Sequence, residues 1–310
     1  MYNLLLFGGS LLFLIKSANL AIHYSNRLAR SLRISSHVVG FLIIALISVL
    51  PETLISINSA LQGVPAFGLG TLFGSNIADL TLILAIVIFC AREIKVQKNI
   101  LQMNNLFLLS FSTPLLFGFD GYYSRLDGLM LVVVGILFYF YILKKARKEV
   151  SQVNYTFSPK NLVLLVLCMS VLLLSAHFTV EYGVALAHDL HVHPIFIGMF
   201  LVGLGTTLPE MFFAIKAVSK NRDGLALGDI LGTVMADATI VVGIMALITP
   251  FAFKPQIAYV TALFMLVAAF FLFNFMRSDK VLTKKEGLFL LFFYLTYVAV
   301  EFLLNTGGNG

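Results

Sequence analysis

Residues 205–210 of the chain read GTTLPE and residues 232–237 read GTVMAD, and both stretches have counterparts 158 residues earlier. There, residues 47–52 read ISVLPE and residues 74–79 read GSNIAD. Across the 40-residue window that holds both motifs, 11 positions are identical without a gap. Shared hydrophobicity explains matched Leu and Ile residues, but not a Pro-Glu pair, two glycines and an Asp that recur together. The chain therefore contains an internal repeat.

Apolar segments long enough to cross a bilayer follow one another along the whole chain. Of its 310 residues, 59% are hydrophobic and 12% are charged, whereas about a quarter of the residues in soluble domains are charged. A membrane-spanning helix needs roughly 20 predominantly apolar residues. We predict an all-α membrane protein with ten such helices, at 4–22, 38–61, 66–90, 100–118, 129–143, 161–180, 194–217, 225–248, 257–276 and 287–304.

Basic residues are distributed unevenly between the connections of these helices. The connections that follow odd-numbered helices hold 18 Lys and Arg residues, and those that follow even-numbered helices hold 2. Because positively charged connections stay in the cytoplasm, we predict a multi-pass protein of the cell membrane with both termini extracellular or periplasmic. Topology thus accounts for the net charge of +6, and we expect lipid rather than nucleic acid as its surroundings.

The repeat contains an odd number of predicted helices. We place a first five-helix repeat at 1–150 and a second at 151–310. With five helices each, the second repeat enters the membrane from the opposite side, and inverted repeats are typical of secondary transporters with a binding site near the midplane. We predict two inverted repeats with broken helices at the midplane. GxxxG spacings at 70–74 and 228–232 predict that helices approach closely there.

Four acidic side chains interrupt the apolar segments at equivalent places, as Glu52 and Asp79 in the first repeat and Glu210 and Asp237 in the second. An ionised group inside a bilayer costs at least about 2.5–3.5 kcal/mol on insertion scales. Lys16 is the one basic residue deep inside a predicted span, and it cannot neutralise four acids. We therefore interpret the four carboxylates as a functional site. Lys16 either extends to the membrane interface on its apolar stem or serves as an internal counter-charge.

Further oxygen donors share a helical face with each carboxylate, because residues three, four or seven positions apart lie on one side of a helix. These sets contain no Cys or His, and oxygen ligands suit sodium, calcium or magnesium rather than zinc or copper. The sets are Ala45, Ser48 and Glu52; Gly203, Thr206 and Glu210; Ser75 and Asp79; and Thr233 and Asp237.

A proline directly precedes each glutamate, as Pro51 and Pro209. Within a helix, proline removes one hydrogen bond and pushes away the carbonyl four residues back. Buried broken helices use such carbonyl groups as ion ligands. We therefore expect backbone oxygens of residues 45–47 and 203–205 to contribute to the site.

The doubled motif resembles the two alpha-repeats of the sodium/calcium exchanger family, within the cation/calcium antiporter superfamily. The alpha-repeats lie at about 38–90 and about 194–248 of this chain. The resemblance implies a secondary active antiporter that is not an enzyme and needs no cofactor besides its transported ions. It implies exchange of calcium for sodium by alternating access, with the first and sixth helices sliding across one shared ion cluster.

The resemblance also implies which residues bind the ions. Calcium is expected on Glu52 and Glu210, with help from the hydroxyl and carbonyl groups of the residues four and seven positions earlier. Asp79 and Asp237 complete the predicted metal site. The helping residues for calcium are Ser48, Thr206, Ala45 and Gly203, and those for sodium are Thr207, Ser75 and Thr233.

Three positions depart from the family pattern and keep other functions open. Val49 replaces a hydroxyl residue, Val234 replaces an Asn, and Asp79 stands where Asn is frequent. The alternative is therefore a calcium/proton antiporter, or an antiporter of another divalent cation, with the same fold. An intramembrane aspartyl protease would need Gly-x-Gly-Asp, but residues 226–229 read ALGD. A passive channel also stays open as an alternative, although two offset broken helices are the usual arrangement for alternating access.

Overall fold

The computed structural model of the protein describes residues 2–31, 49–91, 93–101, 104–145, 159–253 and 255–306. These residues form helices and four short strands. The α-helices are α1 Tyr2–Ser31, α2 Leu50–Leu61, α3 Pro65–Ala78, α4 Leu84–Ala91, α5 Lys98–Leu101, α6 Asn104–Phe117, α7 Arg125–Lys145, α8 Pro159–Asp189, α9 Pro194–Phe196, α10 Gly203–Thr206, α11 Leu208–Val218, α12 Asp223–Ala236, α13 Val242–Ile248, α14 Pro255–Ser278 and α15 Lys284–Thr306. π-helical segments occupy Asp79–Ile83, Ile197–Val202 and Asp237–Val241.

Eight helical stretches of the described residues are long and apolar enough to cross a membrane. The protein is thus a helical membrane protein. These stretches coincide with eight of the ten predicted spans. Of the other two, 38–61 lies partly outside the described residues, and 100–118 is occupied by α6 with the end of the short helix α5. α6 has 14 residues, fewer than the roughly 20 that a full crossing needs.

Two of the eight spans are enclosed by the rest of the helix bundle. In Pro65–Ala91 and in Asp223–Ile248, 83% of the most apolar window is buried, against 28% to 56% in the remaining six. A span that is hydrophobic and buried all round belongs to the core of the bundle. These central spans carry Asp79 and Asp237, so both aspartates are held away from lipid.

Glycines let α3 touch the backbone of a crossing helix. A Cβ on Gly70 would lie 2.3 Å from the carbonyl oxygen of Ile195, and one on Gly74 would lie 2.3 Å from that of Met199. Any larger side chain would force the two helices apart. The GxxxG spacing at residues 70–74 therefore mediates close packing, as the sequence predicted.

The long helices α1 and α8 pack along each other and form a separate apolar cluster. Phe7 and Leu14 of α1 meet Leu172 and Val180 of α8 in its interior. In each of the two spans only about a third of the apolar window or less is buried. The pair therefore lies at the periphery, with most of its surface available to lipid.

Two small antiparallel sheets join connections that are far apart in sequence. Strand β1, Glu93–Lys95, pairs with β4, Val281–Thr283, and β2, Tyr122–Tyr123, pairs with β3, Phe251–Ala252. β1 and β4 lie in connections that the charge distribution assigns to one face, and β2 and β3 lie in connections assigned to the other. The strand pairing thus agrees with the predicted alternation of the connections.

Candidate cation site

The helix that carries Glu210, α11, begins at Leu208, two residues before the glutamate. Thr207, with φ −76° and ψ −8°, separates α10 from α11. Pro209 follows at the start of α11, where a missing N–H donor is tolerated, and Glu210 lies in the first turn. A first-turn carboxylate faces the positive end of the helix dipole. Val49, Pro51 and Glu52 repeat this arrangement at the start of α2, with φ −69° and ψ −12° at Val49.

The two aspartates each begin a π-helical turn. These turns run over Asp79–Ile83 and Asp237–Val241, so they are 158 residues apart. π-helical turns inside α-helices occur frequently at functional sites. Tyr139 of α7 donates a hydrogen bond of 2.6 Å to the carbonyl oxygen of Gly232, in the span that carries Asp237.

The four carboxylates are buried without compensation. Glu52, Asp79 and Asp237 are completely buried and Glu210 is 1% exposed. Within the described residues, both oxygens of Glu52, Asp79 and Glu210 and one oxygen of Asp237 have no hydrogen-bond partner. No basic side chain of that part of the chain pairs with them. Because an unpaired buried carboxylate is very costly, such a cluster requires bound cations or protons.

The same four groups form one cluster that joins distant segments. Asp79 interacts electrostatically with Glu52, and Glu210 and Asp237 each interact with both of them. The hydroxyl of Ser75 lies 3.4 Å from a carboxylate oxygen of Asp237. Residues from both halves of the sequence thus meet in one place.

The carboxylates do not surround one common point in this conformation. Among the described residues, no group of three or more His, Cys, Asp or Glu side chains is arranged to hold a metal ion. Calcium needs six to eight oxygen ligands, so an ion here would draw on hydroxyl and carbonyl oxygens besides two of the acids. The predicted ligand set has this mixed composition, and it stays a prediction.

The predicted hydroxyl donors of the second half all lie in the buried interior. Thr206 is close enough to interact with the side chain of Glu52, and it donates to the carbonyl oxygens of Val202 and Gly203 at 3.1 Å each. Thr207 donates to the carbonyl of Leu204 at 3.0 Å. The hydroxyl of Thr233 has no hydrogen-bond partner among the residues that the structure describes.

Gly203 brings the broken helix against α3. A Cβ at this position would lie 2.8 Å from the backbone nitrogen of Ser75 and 3.1 Å from the carbonyl oxygen of Thr71. The Gly203 carbonyl accepts from the Thr206 hydroxyl at 3.1 Å and from the Thr207 N–H at 3.2 Å. An ion that bound this carbonyl would have to replace one of these hydrogen bonds.

Two members of the predicted set, Ala45 and Ser48, lie outside the described residues. Lys16 is described, and it lies on an exposed face of α1 beside the buried Ser17 and Ala18. An exposed position favours extension to the membrane interface over a role as internal counter-charge.

Sequence reasoning missed two further buried acids, Asp229 and Glu301. Asp229 is 3% exposed and Glu301 is fully buried. Thr261 donates a hydrogen bond of 2.7 Å to Glu301, and Asp229 acts electrostatically on Asp79. Both acids lie inside predicted spans, which was the available signal. The sequence prediction rested on acids that recur in both repeats, and neither Asp229 nor Glu301 has an acidic counterpart 158 residues earlier.

Known proteins share this fold over the whole chain. The sequence profile of the family described as "Sodium/calcium exchanger protein" matches residues 2–144 and 160–303. The sodium/calcium exchanger MaX1 of Methanosarcina acetivorans is 23% identical over 353 residues, which cover 97% of this chain and 99% of that relative.

Solved structures give the same result. The sodium-calcium exchanger NCX_Mj, soaked with 10 mM Na+ and zero Ca2+, matches with a TM-score of 0.69 and 25% identity, over 96% of this chain and 98% of that chain. The H+/Ca2+ exchanger CAX matches with a TM-score of 0.81 and 17% identity, over 98% of this chain and 85% of that chain. At 17% identity, the likeness to CAX is one of fold alone.

Proposed function

Because the chain belongs to the sodium/calcium exchanger family, we propose that it is a secondary active antiporter that exchanges calcium for sodium by alternating access. One observation carries the proposal. Four buried carboxylates cluster inside a membrane protein, and seven of their eight oxygens have no hydrogen-bond partner within the described residues. Ionised groups in that position must meet cations. A site that holds either one calcium or sodium ions, but not both, couples their opposite movements.

Glu52 and Glu210 are the proposed calcium ligands. They lie in the first turns of α2 and α11, which begin after Val49 and after the helix break at Thr207. Such breaks give an ion access to backbone oxygens as well as carboxylates. The remaining proposed ligands are Asp79, Asp237, Ser48, Thr206, Thr207, Ser75 and Thr233, with the carbonyl groups of Ala45 and Gly203.

The proposed architecture consists of two inverted five-helix repeats, over 1–150 and 151–310. Three structural correspondences support it. The π-helical turns at Asp79 and Asp237 are 158 residues apart. β1 and β3 stand at equivalent places in the two repeats, as do β2 and β4, and β1 pairs with β4 while β2 pairs with β3. A twofold axis in the membrane plane would exchange these two sheets.

The starts of α7 and α15 give the third correspondence. The N–H and hydroxyl of Ser124 bond to Asp127 at 2.9 and 2.6 Å. In the same way, the N–H of Thr283 bonds to Glu286 at 2.9 Å, with the Thr283 hydroxyl on the same oxygen. In both helices the acidic side chain thus bonds back to the N–H of the residue three positions earlier, as in a capping box, and so fixes the first turn. We place the protein in the cell membrane, with both termini extracellular or periplasmic.

A calcium/proton antiporter is the second candidate, and specific residues favour it. Val49 is 3% exposed and offers no hydroxyl where Thr207 stands in the other half. Asp79 adds a carboxylate that can carry a proton. The match to the H+/Ca2+ exchanger CAX shows that this fold accommodates proton coupling in that protein.

Calcium uptake into proteoliposomes under switched gradients tests the coupling. Vesicles are loaded with sodium at equal pH on both sides, or with acid buffer without sodium. We expect calcium to accumulate when sodium flows out, and to accumulate little when only a proton gradient is present. Accumulation of calcium under the proton gradient alone would mean that protons, and not sodium, are the coupling ion. The absence of calcium movement under both gradients would contradict antiport of calcium.

A further inference from the structure

Asp229 is a buried carboxylate that the proposed exchange site does not include. It lies in α12, eight residues before Asp237, and it is 3% exposed. It acts electrostatically on Asp79 and on Glu210. Since an α-helix rises 1.5 Å per residue, about 12 Å of helix separate it from Asp237. Asp229 is therefore near the carboxylate cluster but displaced from it toward the beginning of α12.

The beginning of α12 lies at the face that carries β1 and β4. Asp223 in its first turn accepts a hydrogen bond of 2.9 Å from the N–H of Lys95 in β1. We call this side of the molecule the β1–β4 face, and it is cytoplasmic in the proposed orientation. Asp229 is six residues, or about 9 Å of helix, inward from Asp223. It thus stands between this face and the carboxylate cluster.

The equivalent position on the opposite side of the cluster carries no charge. The residue 158 positions before Asp229 is Thr71, which is fully buried and donates to the carbonyl of Phe67 at 3.1 Å. The side of the molecule that carries β2 and β3 is called the β2–β3 face. α3 begins close to this face, because the preceding α2 ends near Thr249, whose hydroxyl is 3.4 Å from the Ala60 carbonyl. On the way to that face, the equivalent position therefore holds a hydroxyl and not a carboxylate.

The helices next to these two positions show the same asymmetry. Ser56 and Ser59 of α2 pack against α3, since a Cβ on Gly68 would lie 2.1 Å from the Ser59 hydroxyl oxygen. At the equivalent positions in α11, the chain has Ala214 and Ala217. At these three positions the side toward the β2–β3 face thus carries hydroxyl groups, whereas the side toward the β1–β4 face carries two alanines and Asp229.

We propose that Asp229 attracts cations on the way between the β1–β4 face and the carboxylate cluster, so that calcium is captured with higher affinity from this face than Asp79 and the glutamates alone would provide. The inference rests on the proposed calcium transport. A carboxylate between apolar walls concentrates the electric field and raises the local cation concentration. Thr71 provides a dipole only, so the equivalent position makes no such contribution to capture from the β2–β3 face.

Calcium transport measured from each face tests the inference. Inside-out and right-side-out membrane vesicles present the two faces separately, and Asp229→Thr gives α12 the residue found at the equivalent position of α3. We expect the apparent KM for calcium to rise roughly tenfold at the β1–β4 face. The KM at the other face should change less than about twofold. The reverse substitution, Thr71→Asp, should lower the KM at the β2–β3 face.

Asp223→Asn is the matched control, because it removes a charge from the same end of α12 without affecting a group beside the cluster. It should leave the KM for calcium unchanged at both faces. Unchanged KM values in Asp229→Thr, or equal increases at both faces, would overturn the inference. If Asp229→Thr is not recovered in folded form, Thr71→Asp tests the inference instead. An unchanged KM for calcium at the β2–β3 face in Thr71→Asp would then overturn the inference. No calcium transport by the parent protein would instead refute the proposed function.

Discussion

At the residue scale, the negative charge of Glu52 and Glu210 has opposite consequences for folding and for transport. Each carboxylate is buried beside other acids without a compensating basic group in the described part of the chain. Like charges at close range repel each other, by roughly 4 kcal/mol at 4 Å and an effective dielectric constant of 20. A bound cation reverses the sign of this contribution. The same residues thus oppose the folded state without ions and, in the proposed function, bind the ions during transport.

This balance predicts the effect of neutralising one glutamate. Glu52→Gln or Glu210→Gln should lower calcium flux at least about 100-fold, since a direct carboxylate ligand is lost. Thermal stability in calcium-free detergent should remain equal or increase, because repulsion in the cluster decreases. Glu181→Gln is the control, since Glu181 is 52% exposed and should affect neither quantity. A variant with near-normal flux would remove its glutamate from the site.

Substitution of Val49 is expected to change the affinity for sodium. Val49 is buried directly before the start of α2, where the second half has the hydroxyl of Thr207. Val49→Ser adds an oxygen ligand without added bulk, so we expect the apparent affinity for sodium to increase several-fold. Thr207→Val should have the opposite effect. Sodium dependence of calcium flux measures both, and equal profiles for parent and variants would exclude these positions from sodium binding.

At the scale of elements, the crossing of α3 and the π-helical segment Ile197–Val202 depends on glycine. Gly74→Ala would place a methyl group 2.3 Å from the Met199 carbonyl oxygen, and the free energy of unfolding should fall by about 1–3 kcal/mol. Gly9→Ala in α1 has nothing within 4 Å and should not destabilise. Thermal unfolding in detergent compares the two variants. Equal stability of Gly74→Ala and the parent protein would contradict the observed contact.

The elements also show what sequence alone could predict. The local motif predicted the helix break before Glu210, which lies at Thr207, because a Pro-Glu pair is readable within one segment. For Glu52 the structure describes only the helix that begins at Leu50, so a break there stays a prediction. The contact of Gly203 with the backbone of Ser75 joins segments more than 120 residues apart, so no local pattern indicates it. Asp229 escaped prediction for a related reason, since its importance depends on packing between helices rather than on the repeat.

At the scale of the whole molecule, the uneven distribution of basic residues predicts orientation. The two native cysteines, Cys90 and Cys168, are first replaced by alanine. Single cysteines at Asn3 or His191 should then react with an impermeant thiol reagent on intact cells, because both lie toward the proposed outer face. A cysteine at Lys220, in the basic turn before α12, should not react. Reaction at Lys220 alone would invert the topology.

The pairing of the two small sheets agrees with this topology and adds to what the sequence could predict. Charge counting assigned β1 and β4 to one face and β2 and β3 to the other, and each sheet joins two strands of the same face. Sequence does not determine the number of spans in the same way, because the predicted span 100–118 contains a helix of only 14 residues. Hydropathy indicates an apolar segment but not how much of it continues as one helix.

Tracer exchange of calcium tests the central claim most directly, because it requires a calcium site with alternating access and no assumption about the coupling ion. Proteoliposomes are loaded with unlabelled calcium or left empty, and the uptake of radioactive calcium is followed without a sodium or proton gradient. We predict that internal calcium accelerates tracer uptake and that Glu210→Gln abolishes the acceleration. Tracer uptake that is independent of internal calcium, or that persists in Glu210→Gln, would contradict the account.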